Sequence, residues 1–360
     1  MCAHENGNSD LQTALRNRCT ETVVTESIIS GCLTIAGFVS GLMMCLAIYR
    51  NARLRQTIHM YILSYAIIAL VKSSLVMPFT FGVLVKGEWI SSASVCQFQG
   101  YVISVLGIVT VLTMTMTAID RYMANTHLAQ YLTFFKRKYV CGALAVSWLI
   151  SVAVPLSFTV TGSNFVFHPG YGICREEVKN DSYLKASILK ITFVILPFIA
   201  IATCFCRATV NMQKTYKAAK VRAQEGRMVN INAWKEEENT TRLFAAFILG
   251  TVIFWVPNKV CEIVDAFTLE YCLPRSVYLL STFFVNASCC VKPLIMASMY
   301  EDFKMEIKRI LKLRKTRRVI DISVEENSEA EDPKRMPETR KYYCEMKESE
   351  GEIKTDESTV

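Results

Sequence analysis

The sequence predicts an all-α membrane protein, a seven-transmembrane helix bundle followed by a short amphipathic helix on its cytoplasmic side. Three observations predict it. The 360 residues are 52% hydrophobic and only 20% charged, with a mean hydropathy of +0.27, more apolar than a soluble core of that size absorbs. Seven mostly apolar stretches of roughly 20 residues or more recur along the chain, each long enough to cross a hydrocarbon layer of about 30 Å. Lys and Arg crowd into alternate connections between them. The 14 Cys show no dense short spacing, and His4, His59, His127 and His168 stand far apart. Neither a disulfide scaffold nor a metal centre is expected, and no cofactor. The formal charge of +8 is unevenly placed, because residues 321–360 carry 6 Lys+Arg against 13 Asp+Glu. A basic membrane body with an acidic tail does not point to nucleic acid.

In chain order, residues 1–26 form an extracellular N-terminus. They lack a basic start followed by an apolar core, so the first apolar segment directs insertion itself. The segments run Ser27 to Tyr49, Tyr61 to Leu84, Ala93 to Ile119, Tyr139 to Val160, Leu184 to Cys206, Leu243 to Phe267 and Pro274 to Ser298. Together they make a membrane domain over 27–298. The first, third and fourth contain no Asp, Glu, Lys or Arg, whereas each of the others encloses at least one Lys. Pro78, Pro155, Pro197, Pro257 and Pro293 lie within segments and predict kinks, not ends, because neighbouring helices re-satisfy the freed carbonyls.

Arg50, Arg53 and Arg55 follow segment one, Lys136, Arg137 and Lys138 follow segment three, and Lys214, Lys217, Lys220, Arg222, Arg227 and Lys235 follow segment five. These connections face the cytoplasm, with the N-terminus outside and the tail inside. Over 299–318, Phe303, Ile307, Ile310 and Leu311 recur at helical spacing among many cations. That pattern predicts an amphipathic basic helix lying on the anionic inner leaflet of the bilayer. Residues 319–360 hold too few apolar side chains to order themselves and read as a disordered acidic tail.

Local motifs narrow the function. Asp120-Arg121-Tyr122 ends segment three, and Cys96 stands near its other end. Trp148 lies in segment four, Cys174 between segments four and five, Pro197 in segment five, and Phe254-Trp255-Val256-Pro257 in segment six. This joint spacing resembles the rhodopsin-like G-protein-coupled receptors from about residue 26 to 312. Trp89 ahead of Cys96 is similar to the first outer loop of opsins and melatonin-type receptors. The resemblance implies a plasma-membrane receptor, not an enzyme, with an extracellular ligand, a heterotrimeric G protein and arrestin as partners. It implies a disulfide between Cys96 and Cys174, and a switch made of Asp120, Arg121, Tyr122 and Glu237 in which Asp120 and Glu237 hold Arg121 in the resting state. An Arg at a membrane boundary is costly unless paired, which is the physical reason for such a latch; a snorkelling interfacial Arg is the alternative.

Departures from the family pattern also carry information. Gly41 stands where segment one usually has Asn, Ala69 or Leu70 where segment two has Asp, Phe205 where segment five has Tyr, and Lys292-Pro293 where segment seven has Asn-Pro. The polar network that usually holds sodium is rebuilt or missing. Lys292 is expected to take the ion's place, with Thr110 and Ser288 as neutral partners, or else to be neutral or to snorkel to the inner interface. Asn286 occupies the place of the opsin retinal-binding Lys, and Ile103 that of the acid of amine receptors. A light sensor that holds retinal on another Lys, and a non-signalling scaffold or scavenger, remain the alternatives.

Lys72, Lys190 and Lys259 lie inside segments two, five and six. Cations within spans face a cavity or an anion. Glu262, three residues after Lys259, can neutralise it. The expected ligand otherwise bears a carboxylate, phosphate or sulfate, with Ile103 and Trp255 lining its apolar part. Further expectations are a disulfide between Cys19 and Cys272, glycosylation at Asn180, and capture of the C-terminal Ser358-Thr359-Val360 by a PDZ domain.

Overall fold

The computed structural model describes residues 7–51, 57, 59–160, 164–176, 180–224, 231–268 and 271–310. Most of these residues are helical, as apolar runs in hydrocarbon must be, because a helix satisfies its backbone N–H and C=O groups internally. Helix α1 (Gly7–Arg16) precedes α2 (Thr20–Arg50), α3 (His59–Leu75), α4 (Met77–Lys86), α5 (Ala93–Thr126), α6 (Leu128–Phe134) and α7 (Arg137–Val160). The antiparallel hairpin of β1 (Phe165–His168) and β2 (Ile173–Glu176) follows, with Phe167 opposite Cys174. Then come α8 (Asn180–Gln224), α9 (Ile231–Thr268), α10 (Arg275–Met299) and α11 (Glu301–Ile310). Among the described residues six spans, on α2, α3 with α4, α5, α7, α9 and α10, are long and apolar enough to cross a membrane. The fifth predicted segment lies within α8.

Several predicted boundaries need correction. The first spanning helix begins at Thr20 rather than Ser27, and α1, which the apolar pattern did not announce, buries Leu11 and Leu15 against the end of the bundle. Segment two is two helices rather than one kinked one. The break at Val76 falls two residues ahead of Pro78, whose ring nitrogen has no hydrogen to donate to the carbonyl of Ser74. Pro155, Pro197, Pro257 and Pro293 stay inside their helices as predicted. Helices α8 and α9 run well past the apolar segments, because hydropathy marks where a span ends and not where helical backbone must stop. The hairpin is a small exception within a helical fold.

Helix α11 lies within the predicted amphipathic stretch. Phe303 is 0% exposed and packs into the bundle core, with Ile307 and Ile310 partly buried beside it. Its apolar face therefore packs in part on protein. Glu306, itself buried, lies 3.7 Å from Arg50 of α2 and 3.3 Å from Arg309. Residues 311–318 of the predicted helix and the tail lie outside the described residues.

The core runs along the bundle axis through Met44, Tyr65, Leu106, Met114, Phe247 and Met296. Ile35, Leu149, Leu249 and Leu294 instead stand exposed on the outer surface, as a hydrocarbon solvent allows. Helices α2 and α3 approach closely at Gly41, where an added Cβ would lie 2.9 Å from Leu70 Cγ and 3.2 Å from the Ala66 carbonyl.

Candidate functional site

The hairpin is fixed across one end of the bundle. Cys96 at the start of α5 is bonded to Cys174 of β2, with Cα atoms 5.4 Å apart. Two side-chain amides beside that bridge use both their donor and acceptor ends. Gln97 donates to the Phe165 carbonyl at 2.8 Å and accepts the Phe165 N–H at 3.0 Å. Gln99, fully buried, accepts the Cys174 N–H at 2.9 Å and donates at 3.2 Å to Val76, the carbonyl at the break in segment two.

The tip of the hairpin enters between α9 and α10. Tyr171 is 0% exposed; its carbonyl accepts the Thr282 hydroxyl at 3.1 Å, and its own hydroxyl donates to Asp265. Tyr278 of α10 also donates to Asp265. His168 Nδ1 accepts the N–H groups of Gly170 and Tyr171, and its ring is edge-on to Tyr171, Tyr271 and Tyr278, with centroids 4.7, 4.2 and 5.0 Å away. A Cβ at position 170 would lie 2.6 Å from Tyr278, so this approach requires glycine. Leu11 of α1 packs over the same cluster. Burial lowers the pKa of His168 from 6.5 to about 3, with the positive Arg175 as the second cause.

Beside the tip lies a group of charges. Lys259 of α9 donates to Glu262 at 2.6 Å, and Arg175 of β2 donates to the same carboxylate. Asn258 adds a third donor at 3.0 Å. The Arg175 guanidinium also stacks over the Tyr171 ring, 4.0 Å from its centroid. The sequence-level pairing of Lys259 with Glu262 is therefore present, and β2 brings a second cation to it.

The other predicted residues are more scattered. Lys72 turns toward α10 and donates to the Val285 carbonyl at 3.1 Å, engaging backbone rather than a side-chain anion. Ile103 is partly buried between the bundle core and the hairpin cluster. Trp255 is half-buried, and its shielded indole N–H has no hydrogen-bond partner among the described residues. Lys190 lies on α8, but its side chain is outside the described residues, as is that of Asn180. Cys19 is free and exposed while Cys272 is disulfide-bonded, so the expected Cys19 to Cys272 bridge is wrong; both lie at the same end, which was the only basis for pairing them.

At the opposite end, Arg121 forms a buried ion pair with Asp120 at 2.6 Å and also donates to Tyr131 of α6 at 3.4 Å. Tyr61 of α3 donates to Asp120 at 3.5 Å. Tyr122 stands edge-on to His127, centroids 5.8 Å apart. Glu237 lies on α9 with its side chain outside the described residues; the described link from α5 to α9 is Asn125 donating to Thr241 at 3.4 Å. Lys292, between the two ends, is 5% exposed with its ammonium 4.8 Å from the Tyr65 ring centroid. Thr110 donates instead to the Leu106 carbonyl, and Ser288 to that of Val285. Burial inside the bundle excludes snorkelling, and the neighbour is an aromatic face rather than the expected hydroxyls. Ser358, Thr359 and Val360 lie outside the described residues.

The known-protein comparisons agree with this geometry. The family described as 7 transmembrane receptor (rhodopsin family) matches residues 40–296. The chain belongs to that family. As a rhodopsin-family receptor it is similar to melatonin receptor type 1B of Mus musculus, 23% identical over 282 residues that cover 77% of this chain and 75% of the relative. It is 24% identical to galanin receptor type 1 of Rattus norvegicus over 269 residues, 72% and 73% of the two chains. Trace amine-associated receptor 7d of Mus musculus is 24% identical over 245 residues, 66% and 68%. The rhodopsin family consists of receptors rather than enzymes. This receptor's buried Asp120 and Arg121 pair and its Cys96 to Cys174 bridge occupy the places expected from the resemblance. The pattern reading missed Gln97, Gln99, His168, Tyr171, Arg175 and Tyr278. Only the turn sequence His168-Pro169-Gly170-Tyr171-Gly172 could have signalled the hairpin.

Proposed function

We propose that this receptor responds to an extracellular ligand bearing a carboxylate, phosphate or sulfate, and passes the signal to a heterotrimeric G protein at the Asp-Arg-Tyr end. The observation that carries the ligand class is the meeting of Arg175 and Lys259 on the single carboxylate of Glu262. A ligand anion reaching this place can compete with Glu262 for the two cations, and charged hydrogen bonds are the strong ones. The ligand would sit one helical turn from Trp255, close to Pro257, where a shift in α9 can reach the Arg121 region. It acts only by binding the open arrangement better than the closed one. The relatives are named for melatonin, galanin and trace amines, three dissimilar ligands, so the charge group of this chain supports the reading and not the names.

In this reading the receptor stands in the plasma membrane with the hairpin and N-terminus outside and the tail inside. The Lys and Arg counts of the loops support that orientation. So does the disulfide, which needs an oxidising compartment. Arrestin, a PDZ domain on Ser358, Thr359 and Val360, and a glycan on Asn180 complete the proposal.

The test is nucleotide exchange on purified G proteins with full-length receptor and pools of organic acids, phosphates, sulfates, anionic lipids and acidic peptides. Once an agonist is found, Lys259→Met, Arg175→Met and Lys190→Met are each expected to lower its potency about tenfold at unchanged surface expression. A cationic agonist, or one whose potency none of the three changes, overturns the anion reading.

A further inference from the structure

At the Asp-Arg-Tyr end a cleft of about 280 Å³ opens on the outside of the bundle between α3, α5, the end of α6 and α7. Tyr61, Met116, Ile119, Phe134, Phe135, Tyr139, Val140 and Ala143 line it, and it is almost wholly apolar. Phe134 is 65% exposed, and Ile119 and Tyr139 are exposed as well. Ile119 and Ala143 belong to helices long and apolar enough to cross a membrane, each near one end of its span. At its rim Lys136, Arg137 and Lys138 are exposed in succession where α7 begins. None of them is ion-paired among the described residues, and Lys138 rests over the Tyr139 ring, 4.9 Å from its centroid. The sequence contains no Asp or Glu between Asp120 and Glu176, so the segment supplies no acid of its own to neutralise them.

We infer that this cleft binds an anionic phospholipid, with one acyl chain against Ile119, Phe134 and Ala143 and the net-negative headgroup held by Lys136, Arg137 and Lys138. An apolar slot below a cationic rim at a membrane boundary matches the layering of such a lipid, chain below and charge above. A zwitterionic lipid brings its own cation to a rim of three cations, and a polar partner would leave the slot unfilled. The floor of the slot is Tyr61, whose hydroxyl donates to Asp120, the partner of Arg121. The bound chain therefore lies one hydrogen bond from the ion pair of the proposed switch. The inner leaflet as the lipid's source rests on the orientation proposed above; the binding site itself does not.

The experiment is native mass spectrometry of full-length receptor incubated with equal amounts of phosphatidylserine and phosphatidylcholine of the same chains. Wild type is expected to retain phosphatidylserine selectively. Replacing Lys136, Arg137 and Lys138 with Gln should reduce that selectivity roughly fivefold for each charge removed. Ala143→Trp, which fills the slot, should abolish retention, with Ala143→Leu as a milder version and melting temperatures confirming that each variant is folded. Equal retention of the two lipids by wild type, or phosphatidylserine retention unchanged in either the rim or the slot variants, overturns the site. Failure of the agonist screen leaves this result standing, since no step of it uses the ligand or the G protein.

Discussion

Tyr171 donates its hydroxyl to Asp265 at 3.4 Å, tying the tip of the hairpin to α9 one turn beyond Glu262. Tyr278 of α10 reaches the same carboxylate, so three elements converge on one buried acid. Any movement of α9 at this end must therefore either carry the hairpin with it or break these bonds.

Removing the acceptor should cost stability. Asp265→Ala strands two buried hydroxyl donors, a loss of about 1–3 kcal/mol. Asp265→Asn keeps a carbonyl oxygen that can accept from both. The expected order of melting temperature in detergent is wild type, then Asn, then Ala. An Ala variant as stable as wild type would mean that the hydroxyls find other acceptors and that the tie does not hold the tip.

His168 makes the hairpin end sensitive to acid. It is 2% exposed among three tyrosine rings, and burial lowers its pKa to about 3, with Arg175 adding to the shift. Between that value and the ordinary 6.5 the unfolded state binds the extra proton, so its contribution to stability is fully present above about 6.5 and declines as pH falls toward 3. His168→Asn can still accept the Gly170 or Tyr171 N–H but does not titrate there. Melting curves from pH 7.5 to 4.5 should fall more steeply for wild type than for His168→Asn; parallel curves would show that His168 does not control the acid response.

Glu262 is paired with Arg175 and Lys259, so under the proposed anionic agonist it is the ligand's competitor for both cations. Glu262→Gln removes the competing charge and keeps the side-chain shape, so an anionic agonist should gain about tenfold in potency. Raising the salt concentration should erode that gain, because the group is partly open to solvent. A lower potency in Glu262→Gln would show instead that the carboxylate orients the two cations for the ligand.

The bundle was legible because hydrophobic length is a one-dimensional signal: a run without charges from Ala93 to Ile119 has few structural outcomes. Asp120 beside Arg121 was legible for a similar reason, since a charge at a membrane boundary needs a partner. The hairpin was not, because what places Tyr171 between α9 and α10 is contact with Asp265, Tyr278 and Thr282, residues that lie roughly a hundred positions away. Arg175 read as an ordinary loop cation for the same reason. The break at Val76 was hidden because Pro78 permits either a kink or an end, and Gln99, which donates to the Val76 carbonyl, lies on another helix.

Gly41 fits the family's missing Asn to a physical cause. With Leu70 Cγ only 2.9 Å from where a Cβ would stand, the space that a polar side chain needs is already filled by the neighbouring helix. Gly41→Asn should force α2 away from α3 and destabilise the bundle by about 1–3 kcal/mol. The double variant Gly41→Asn with Leu70→Ala should recover part of that loss, giving a favourable coupling in a thermal-unfolding cycle. Strict additivity would place the cause elsewhere.

Lys292 is a buried cation whose identified neighbour is a ring. Its ammonium lies 4.8 Å from the Tyr65 centroid, with no carboxylate in ion-pair range among the described residues. A desolvated cation and ring contribute about 2 kcal/mol, whereas burying an ammonium costs several. Lys292→Met keeps the chain length and drops the charge, so it is expected to raise the melting temperature by the equivalent of about 1–2 kcal/mol. The usual acid of segment two is absent, its place taken by Ala69 or Leu70, so a sodium ion has nothing to neutralise it beside a resident ammonium. Agonist affinity in wild type should therefore be the same in sodium chloride as in N-methylglucamine chloride. Two results would defeat this reading independently. A lower melting temperature in Lys292→Met would show that the ammonium is held by more than the Tyr65 face, and a sodium effect of tenfold or more on wild-type affinity would show that an ion site survives beside it.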